Sequence, residues 1–486
     1  MVSEIKHCRI CSNRHLVPVI HLGSQALTGV FPKTIDEPVL EGPLELVQCD
    51  TREGGCGLVQ LRHSYPLDAM YGENYGYRSG LNASMVRHLH HRVATVQEWV
   101  QPQAGQIVLD IGSNDSTTLR AYGDRGLKLI GMDPTGVKFH TYYPEWVDLI
   151  PDFFSAQSFQ DRFGSQKAKI VTSFAMFYDL DDPTDFMRQI ASILDDQGVW
   201  VFEQSYLPLM VERNAYDTIC HEHLSYYGAA QIAWMAERAG LRIIDLEAND
   251  INGGSFCVTV AHQHSHFPDA SALVQKWIDR EQREGYLDLS RMQAYRREVE
   301  QHRDLLCETV HAIGRAGKSL YGYGASTKGN VLLQYCGFTS RDVWAIAEVN
   351  TEKFGRWTPG THIPICSEAE VRAAKPDYLL VLPWHFREGI VQRESDYLQQ
   401  GGRLLFPLPT IESVESTPAR RAATRPTMPG FDECVWTTSK RKWRNRSVSA
   451  VNAARSLQGR IGRINAGTKW QAISSRSSSS LNGPGC

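Results

Sequence analysis

No run of uncharged apolar residues in the 486-residue chain approaches the roughly 20 needed to cross a bilayer. The opening MVSEIKHCRI has no apolar centre of the kind a secretory leader needs. Net charge is close to nil, -3 with His neutral, so no global field draws the chain to nucleic acid or an anionic membrane. Internal repeats, an HExxH pair and a Walker A loop are all missing, which sets aside solenoids, zinc hydrolases of that type and P-loop nucleotidases. The expectation is a cytoplasmic globular protein that acts on a small molecule, with no specific nucleic-acid partner and no membrane partner.

The weak net charge conceals an asymmetry. Beyond Ile411 the chain is basic and Ser-rich, with Arg420, Arg421, Lys440, Arg441, Lys442 and Arg444 and the ending SSRSSSSLNGPGC. Such a composition predicts a disordered tail over 413–486. The rest divides by pattern. Residues 1–75 are rich in Gly, Pro and Cys, as in a small metal-stapled domain. Residues 76–265 open on a helical stretch, with Met85, Leu89, Val93, Val96 and Val100 at three- and four-residue steps. They continue as alternating strand and helix, the pattern of a parallel α/β sheet. Residues 266–316 are charged and helical, a connector. Residues 317–412 alternate strand and helix again.

Most of the eleven cysteines are scattered, but Cys8 and Cys11 form a C-x-x-C pair and Cys49 and Cys56 a second, wider pair. Two thiol pairs across a loop can close a tetrahedral thiolate site around a structural zinc. Four unrelated buried thiols are the alternative.

QIVLDIGSNDSTTL reads as strand, tight loop and helix, with Ile107 to Ile111 as the strand. KLIGMD gives a second strand ending at Asp133, about 20 residues on, where a carboxylate can accept the hydroxyls of a ribose. The loop has one glycine, Gly112, where a dinucleotide cradle wants three. S-adenosylmethionine, which has a ribose and no pyrophosphate, fits better, with Asp110, Gly112, Asn114, Asp115 and Asp133 as its expected ligands. The stretch PTDFMRQIASILDDQGVWVFEQ then predicts helix, a turn at Gly198, and strand.

YDTICHEHLSYYG follows the strand that ends near Ser205. It brings together His221, Glu222 and His223, with Tyr226 just beyond. Histidine takes a proton near neutral pH, a carboxylate orients or balances an imidazole, and a phenol donates to a developing enolate oxygen. The cluster suits removal of a proton beside a carbonyl. A surface turn and an H-x-H metal site are the competing readings. In SLYGYGASTKGNVLL, strand, loop and helix follow once more. Tyr321, Gly324, Ser326 and Lys328 are the expected substrate-binding residues, the loop and helix start suiting phosphate.

Taken together, VLDIGSND, CHEHLSYY, YGYRSG, NGGSF, YGYGASTKGN, VNTEKFGRWTPGTHIPI, PWHF and the cysteine pairs resemble the class I S-adenosylmethionine-dependent sugar C-methyltransferases. The resemblance spans about residues 7–412. It implies an α/β fold: a zinc-binding N-terminal domain, a class I methyltransferase Rossmann-like core and a second Rossmann-like C-terminal domain. It implies a nucleotide-linked 4-keto deoxysugar as substrate, deprotonated beside the ketone to an enolate. It places the base at His223 assisted by Glu222, a substrate contact at Tyr77, and the nucleotide on the C-terminal domain. Three residues depart from the family pattern: Ser116 where a glycine is usual, Asp179 where some members have His, and Cys220 where some have Tyr. Two rivals stand against this reading. One is an NAD-dependent nucleotide-sugar oxidoreductase. The other is a non-catalytic zinc-containing binding protein.

Overall fold

A computed structural model of the chain describes residues 2–71 and 77–416. Its central sheet has seven strands in the order Leu241–Asn249, Ser255–His262, Leu194–Ser205, Ala168–Phe174, Ile107–Ile111, Lys128–Met132 and Val147–Ile150. The last five run parallel, and Ser255–His262 lies antiparallel to both its neighbours. Every residue of Ile107–Ile111 is buried, which is why that strand reads as a nearly unbroken apolar run: helices cover both faces of the sheet. The chain leaves this strand to one side for Lys128–Met132 and returns on its other side for Ala168–Phe174. The reversal opens a crevice at the strands' carboxyl ends, where α/β sheets hold ligands.

The C-terminal sheet repeats the plan with the order Ile365–Ser367, Ile346–Glu348, Leu320–Tyr323, Tyr378–Val381, Arg403–Phe406 and Glu412–Val414. Five strands are parallel and Glu412–Val414 closes the edge antiparallel. The tail anticipated from residue 413 therefore begins inside a strand; beyond residue 416 it lies outside the described residues.

The N-terminal sheet is antiparallel, in the order Ser225–Tyr226, Val59–Leu61, Glu41–Cys49 and Leu16–Ala26. Its edge strand comes from the segment that follows His223. One apolar core joins the N-terminal and C-terminal sheets through the segment that follows the central strand Leu194–Ser205: Leu44, Leu61, Tyr216, Leu224, Tyr295, Val331, Val381 and Phe406 belong to a single cluster. Burying these side chains together ties the segments at about 25 cal/mol per Å² of apolar surface.

Two local expectations change. Gly198 lies within the continuous strand Leu194–Ser205, at a register shift, and makes no turn between elements. The helical connector is two helices, Ser271–Arg283 and Leu289–Arg315. They part where the N–H groups of Gly285 and Tyr286 fold back onto the carbonyls of Gln282 and Glu281, satisfying the end of the first helix.

Candidate active site

The four thiols of Cys8, Cys11, Cys49 and Cys56 converge, all within 4.8 Å of one another. Cys8 and Cys56 Sγ are 3.6 Å apart, and Cys11 and Cys49 Sγ 3.5 Å. Four sulfurs at about 2.3 Å from one ion stand about 3.8 Å apart in a tetrahedron, so the cage fits zinc and leaves no position for substrate. Next to the first ligand, the buried Arg9 guanidinium donates to the carbonyl of Leu61 at 2.6 Å, to that of Leu224 at 3.4 Å and to Ser64 Oγ at 2.9 Å. Leu224 follows His223, so the metal knuckle holds the histidine loop through Arg9.

On that loop three successive side chains diverge. The His221 ring is fully buried, edge-on to Tyr65 with centroids 4.6 Å apart. Burial holds its pKa down to about 4. Glu222 reaches the N-terminal segment: Thr28 Oγ1 donates to its Oε2 at 3.4 Å, and a Cβ on Gly29 would stand 2.6 Å from its Oε1. His223 packs on Tyr178 with centroids 4.0 Å apart, and its Nδ1 lies 2.8 Å from the Thr218 carbonyl oxygen. A carbonyl only accepts, so Nδ1 carries the proton and Nε2 keeps its lone pair. Burial, with Lys328 nearby, holds His223 down to about 3, neutral at pH 7.

The imidazole's orienting group is thus the Thr218 carbonyl, where the sequence pointed to Glu222. The same carbonyl accepts from the Tyr226 hydroxyl at 3.2 Å. Tyr226 lies in the core, and its expected substrate contact changes to a positioning role. Burial raises the pKa of Glu222.

The loop after the strand Ile107–Ile111 is held by its own hydrogen bonds. The Asn114 N–H donates to Asp133 Oδ2 at 2.7 Å, while Thr135 N and Oγ1 both reach Asp133 Oδ1 at 2.6 Å. Gly112 N–H donates to the Met132 carbonyl at 2.9 Å. Thr172 Oγ1 donates to Asp110 at 2.6 Å, and burial lifts Asp110 to about 7. The described part of YGYRSG, Tyr77 to Gly80, lies on this loop: Ser79 N–H donates to Asn114 Oδ1 and Gly80 N–H to Asp115 Oδ2, each at 3.0 Å. Asn114 Nδ2 donates to the Tyr77 carbonyl at 3.3 Å. The structure therefore ties Tyr77 to the cofactor loop through its backbone. Ser116 has φ 63, the left-handed region, and makes no capping bond. Glycine, usual there in the family the sequence resembles, takes that backbone without strain.

The C-terminal loop meets the core at NGGSF and PWHF. Lys328 Nζ donates to the Asn252 carbonyl at 2.6 Å. Gly253 admits Trp384, whose ring would lie 2.9 Å from a Cβ there, and Trp384 Nε1 donates to the buried Asp217 at 2.7 Å. Gly324, at φ +80, abuts Pro383 at 2.9 Å from a Cβ position. Ser326 Oγ caps its helix by accepting from Gly329 N–H at 3.0 Å. Tyr321 packs on Trp344. The Trp344 N–H bonds to the Leu320 carbonyl at the amino end of the strands, so Tyr321 stands at the end opposite the crevice. Its expected substrate contact is not supported. Asp217 and His385, absent from the sequence-based site, sit beside Lys328. Burial, then Lys328, holds His385 down to about 3, and burial raises Asp217. Both lie within quoted motifs, Asp217 in YDTICHEHLSYYG and His385 in PWHF, but neither was singled out there.

Three family models match: a zinc binding domain over residues 8–71, a methyltransferase domain over 81–246 and a C-methyltransferase C-terminal domain over 250–409. C-methyltransferase NovU of Streptomyces niveus is 29% identical over 427 residues, covering 86% of this chain and 99% of that protein. In this order along the chain, the matches mark an S-adenosylmethionine-dependent C-methyltransferase. Among solved structures, the CcbJ methyltransferase of Streptomyces caelestis matches at 15% identity, 36% of this chain, 89% of that one and TM-score 0.28. Mitomycin 7-O-methyltransferase MmcR matches at 13%, 37%, 55% and 0.30. In this C-methyltransferase the four-cysteine cluster is the structural zinc site, and the fold class is the α/β one expected. The oxidoreductase and non-catalytic readings fall with the methyltransferase match. Among the described residues no helix is long and apolar enough to cross a membrane.

Proposed function

We propose that the enzyme methylates a carbon next to the ketone of a nucleotide-linked 4-keto deoxysugar. The observation that carries this reading is His223: a buried, neutral imidazole with Nδ1 committed to the Thr218 carbonyl and Nε2 free to accept a proton. A carbonyl acidifies the neighbouring C–H, Nε2 takes that proton, and the electron pair moves onto the carbonyl oxygen to give an enolate. S-adenosylmethionine, when bound, supplies the electrophilic methyl group. Asp110, Gly112, Asn114, Asp115 and Asp133 would hold it, Asp133 accepting from the ribose. Low exposure around His223 keeps water from the carbanion.

The nucleotide half is assigned to the loop from Gly324 to Lys328, at the reversal point of the C-terminal sheet. Lys328 there offers positive charge and the helix Thr327–Cys336 its N-terminus. Tyr77 is kept as a substrate contact because it stands beside the cofactor loop. The domains are proposed with the bounds drawn from sequence, and the location as cytoplasmic. Incubation with S-adenosylmethionine and a panel of 4-keto nucleotide sugars, read by mass spectrometry and NMR, tests the reading. A gain of one methyl on the carbon beside the ketone supports it; methyl on oxygen or nitrogen, or none on any keto sugar, overturns it.

A further inference from the structure

Two of the departures from the family pattern, Asp179 and Cys220, meet at Glu222. Asp179 ends the 3-10 turn Phe177–Asp179 that follows the core strand Ala168–Phe174. The residue before it, Tyr178, packs on the His223 ring, and Leu224 N–H bonds to the Tyr178 carbonyl at 2.9 Å. Asp179 therefore follows a residue fixed to the histidine loop at His223 and Leu224. Its Oδ2 accepts from the Tyr71 hydroxyl at 2.7 Å. Its Oδ1 is buried and has no protein partner.

The electrostatics are one-sided. Burial raises the Asp179 pKa well above its ordinary value, and its charged neighbour is a second carboxyl, Glu222, which raises it further. No Lys or Arg among the described residues acts on Asp179 to offset this. Two carboxyls in one dry site do not both ionise. Tyr71 donates to Oδ2, so a proton held by this carboxyl sits on Oδ1, the oxygen that no protein group reaches. A neutral carboxylic acid in an apolar site is a strong donor to a developing oxyanion.

We propose that Asp179 is a catalytic residue that donates a hydrogen bond from its Oδ1 hydroxyl to the substrate carbonyl oxygen. This rests on the keto-substrate reading above. His223 Nε2 takes the proton from carbon, the C–H electron pair becomes the C=C bond of the enolate, and the charge on oxygen is met by the Asp179 O–H. The proton stays on Asp179 throughout, so this donor needs no recharging between turnovers. Tyr71 is a positioning residue that fixes which carboxyl oxygen is left to donate.

The test compares full-length wild type, Asp179→Asn and Asp179→Ala, first for binding of S-adenosylhomocysteine as a check on folding. Each is then assayed for methyl transfer to the keto sugar from pH 6 to 10. Removing the donor in Asp179→Ala lowers kcat by about 100- to 1,000-fold. Asp179→Asn keeps the shape and an N–H donor, recovers activity to within about tenfold of wild type, and abolishes the alkaline loss that ionisation of Asp179 causes. Wild-type turnover with Asp179→Ala unimpaired overturns the proposal alone. So does an Asp179→Asn as inactive as Asp179→Ala, which shows a need for the ionised carboxylate. If Asp179→Ala does not fold, the pH profile of Asp179→Asn decides: an alkaline limb unchanged from wild type overturns the assignment. Wild type that binds S-adenosylhomocysteine but methylates no keto sugar defeats the substrate reading, and the donor role with it.

Discussion

The Nδ1 of His223 stands 2.8 Å from the carbonyl oxygen of Thr218, five residues earlier in the same loop. This one bond selects the tautomer that leaves Nε2 able to take a proton. It is made by a backbone atom, which no side-chain pattern reveals, and it replaces the carboxylate that HEH suggests.

Asp133 both ties the Asn114 amide and, in this account, receives the cofactor ribose. Asp133→Ala should weaken S-adenosylhomocysteine binding by about 1.5–3 kcal/mol, the scale of a hydrogen bond to a charged group. Isothermal calorimetry measures it. Unchanged affinity would move the ribose to another partner.

Ser116 occupies left-handed backbone at φ 63 with its hydroxyl buried and unbonded. Ser116→Gly relieves a strain of about 1 kcal/mol and removes an unsatisfied hydroxyl, at some cost in unfolded-state entropy. The expected result is a higher thermal midpoint with cofactor binding kept or improved. A lower midpoint would show that the serine contributes a contact absent from this geometry.

Arg9 links the zinc cage to the histidine loop. Arg9→Met removes the guanidinium donor from the Leu61 carbonyl and Ser64 Oγ, while the Leu224 carbonyl keeps the Leu61 N–H, a loss of about 2–4 kcal/mol. Metal analysis should still find one zinc per chain, while turnover falls. In contrast, Cys8→Ser with Cys11→Ser should lose the zinc and the fold together. Full turnover in a stable Arg9→Met enzyme would dissociate the metal knuckle from the active loop.

His221 is buried neutral, held down to about 4 against about 6.5 when unfolded. Between those values the unfolded chain binds a proton that the native one refuses. Its contribution to stability is thus full above pH 6.5 and is lost as pH falls towards 4. His221→Phe should flatten the acid side of the stability profile by up to about 1.4 kcal/mol per pH unit. Urea unfolding at pH 7 and pH 5 reads the difference. Parallel profiles for the two proteins would place the acid sensitivity elsewhere.

Local pattern carried much of the architecture. Apolar runs ending at Ile111 and near Asp133 located the cofactor loop, and cysteine spacing located the metal cage, because both depend on residues close in sequence. Long-range contacts were not legible. Nothing in SYYG announces that Ser225–Tyr226 pairs with Val59–Leu61 in the N-terminal sheet. Nothing in HEH announces that its three side chains point to three different surroundings. Tyr321 looked like part of a binding loop because it neighbours one, yet strand geometry sends it to Trp344. Asp217 and Tyr71 acquire meaning only when Trp384 and Asp179 arrive from distant segments.

The central claim is that His223 is the base of a carbanion C-methylation. The direct measurement is deuterium incorporation from heavy water at the carbon beside the ketone, followed by NMR with the cofactor product S-adenosylhomocysteine present. Wild type should exchange that proton, and His223→Ala should do so about 100- to 10,000-fold more slowly while still binding S-adenosylhomocysteine. Exchange by His223→Ala at the wild-type rate would contradict the account and move the base to another group.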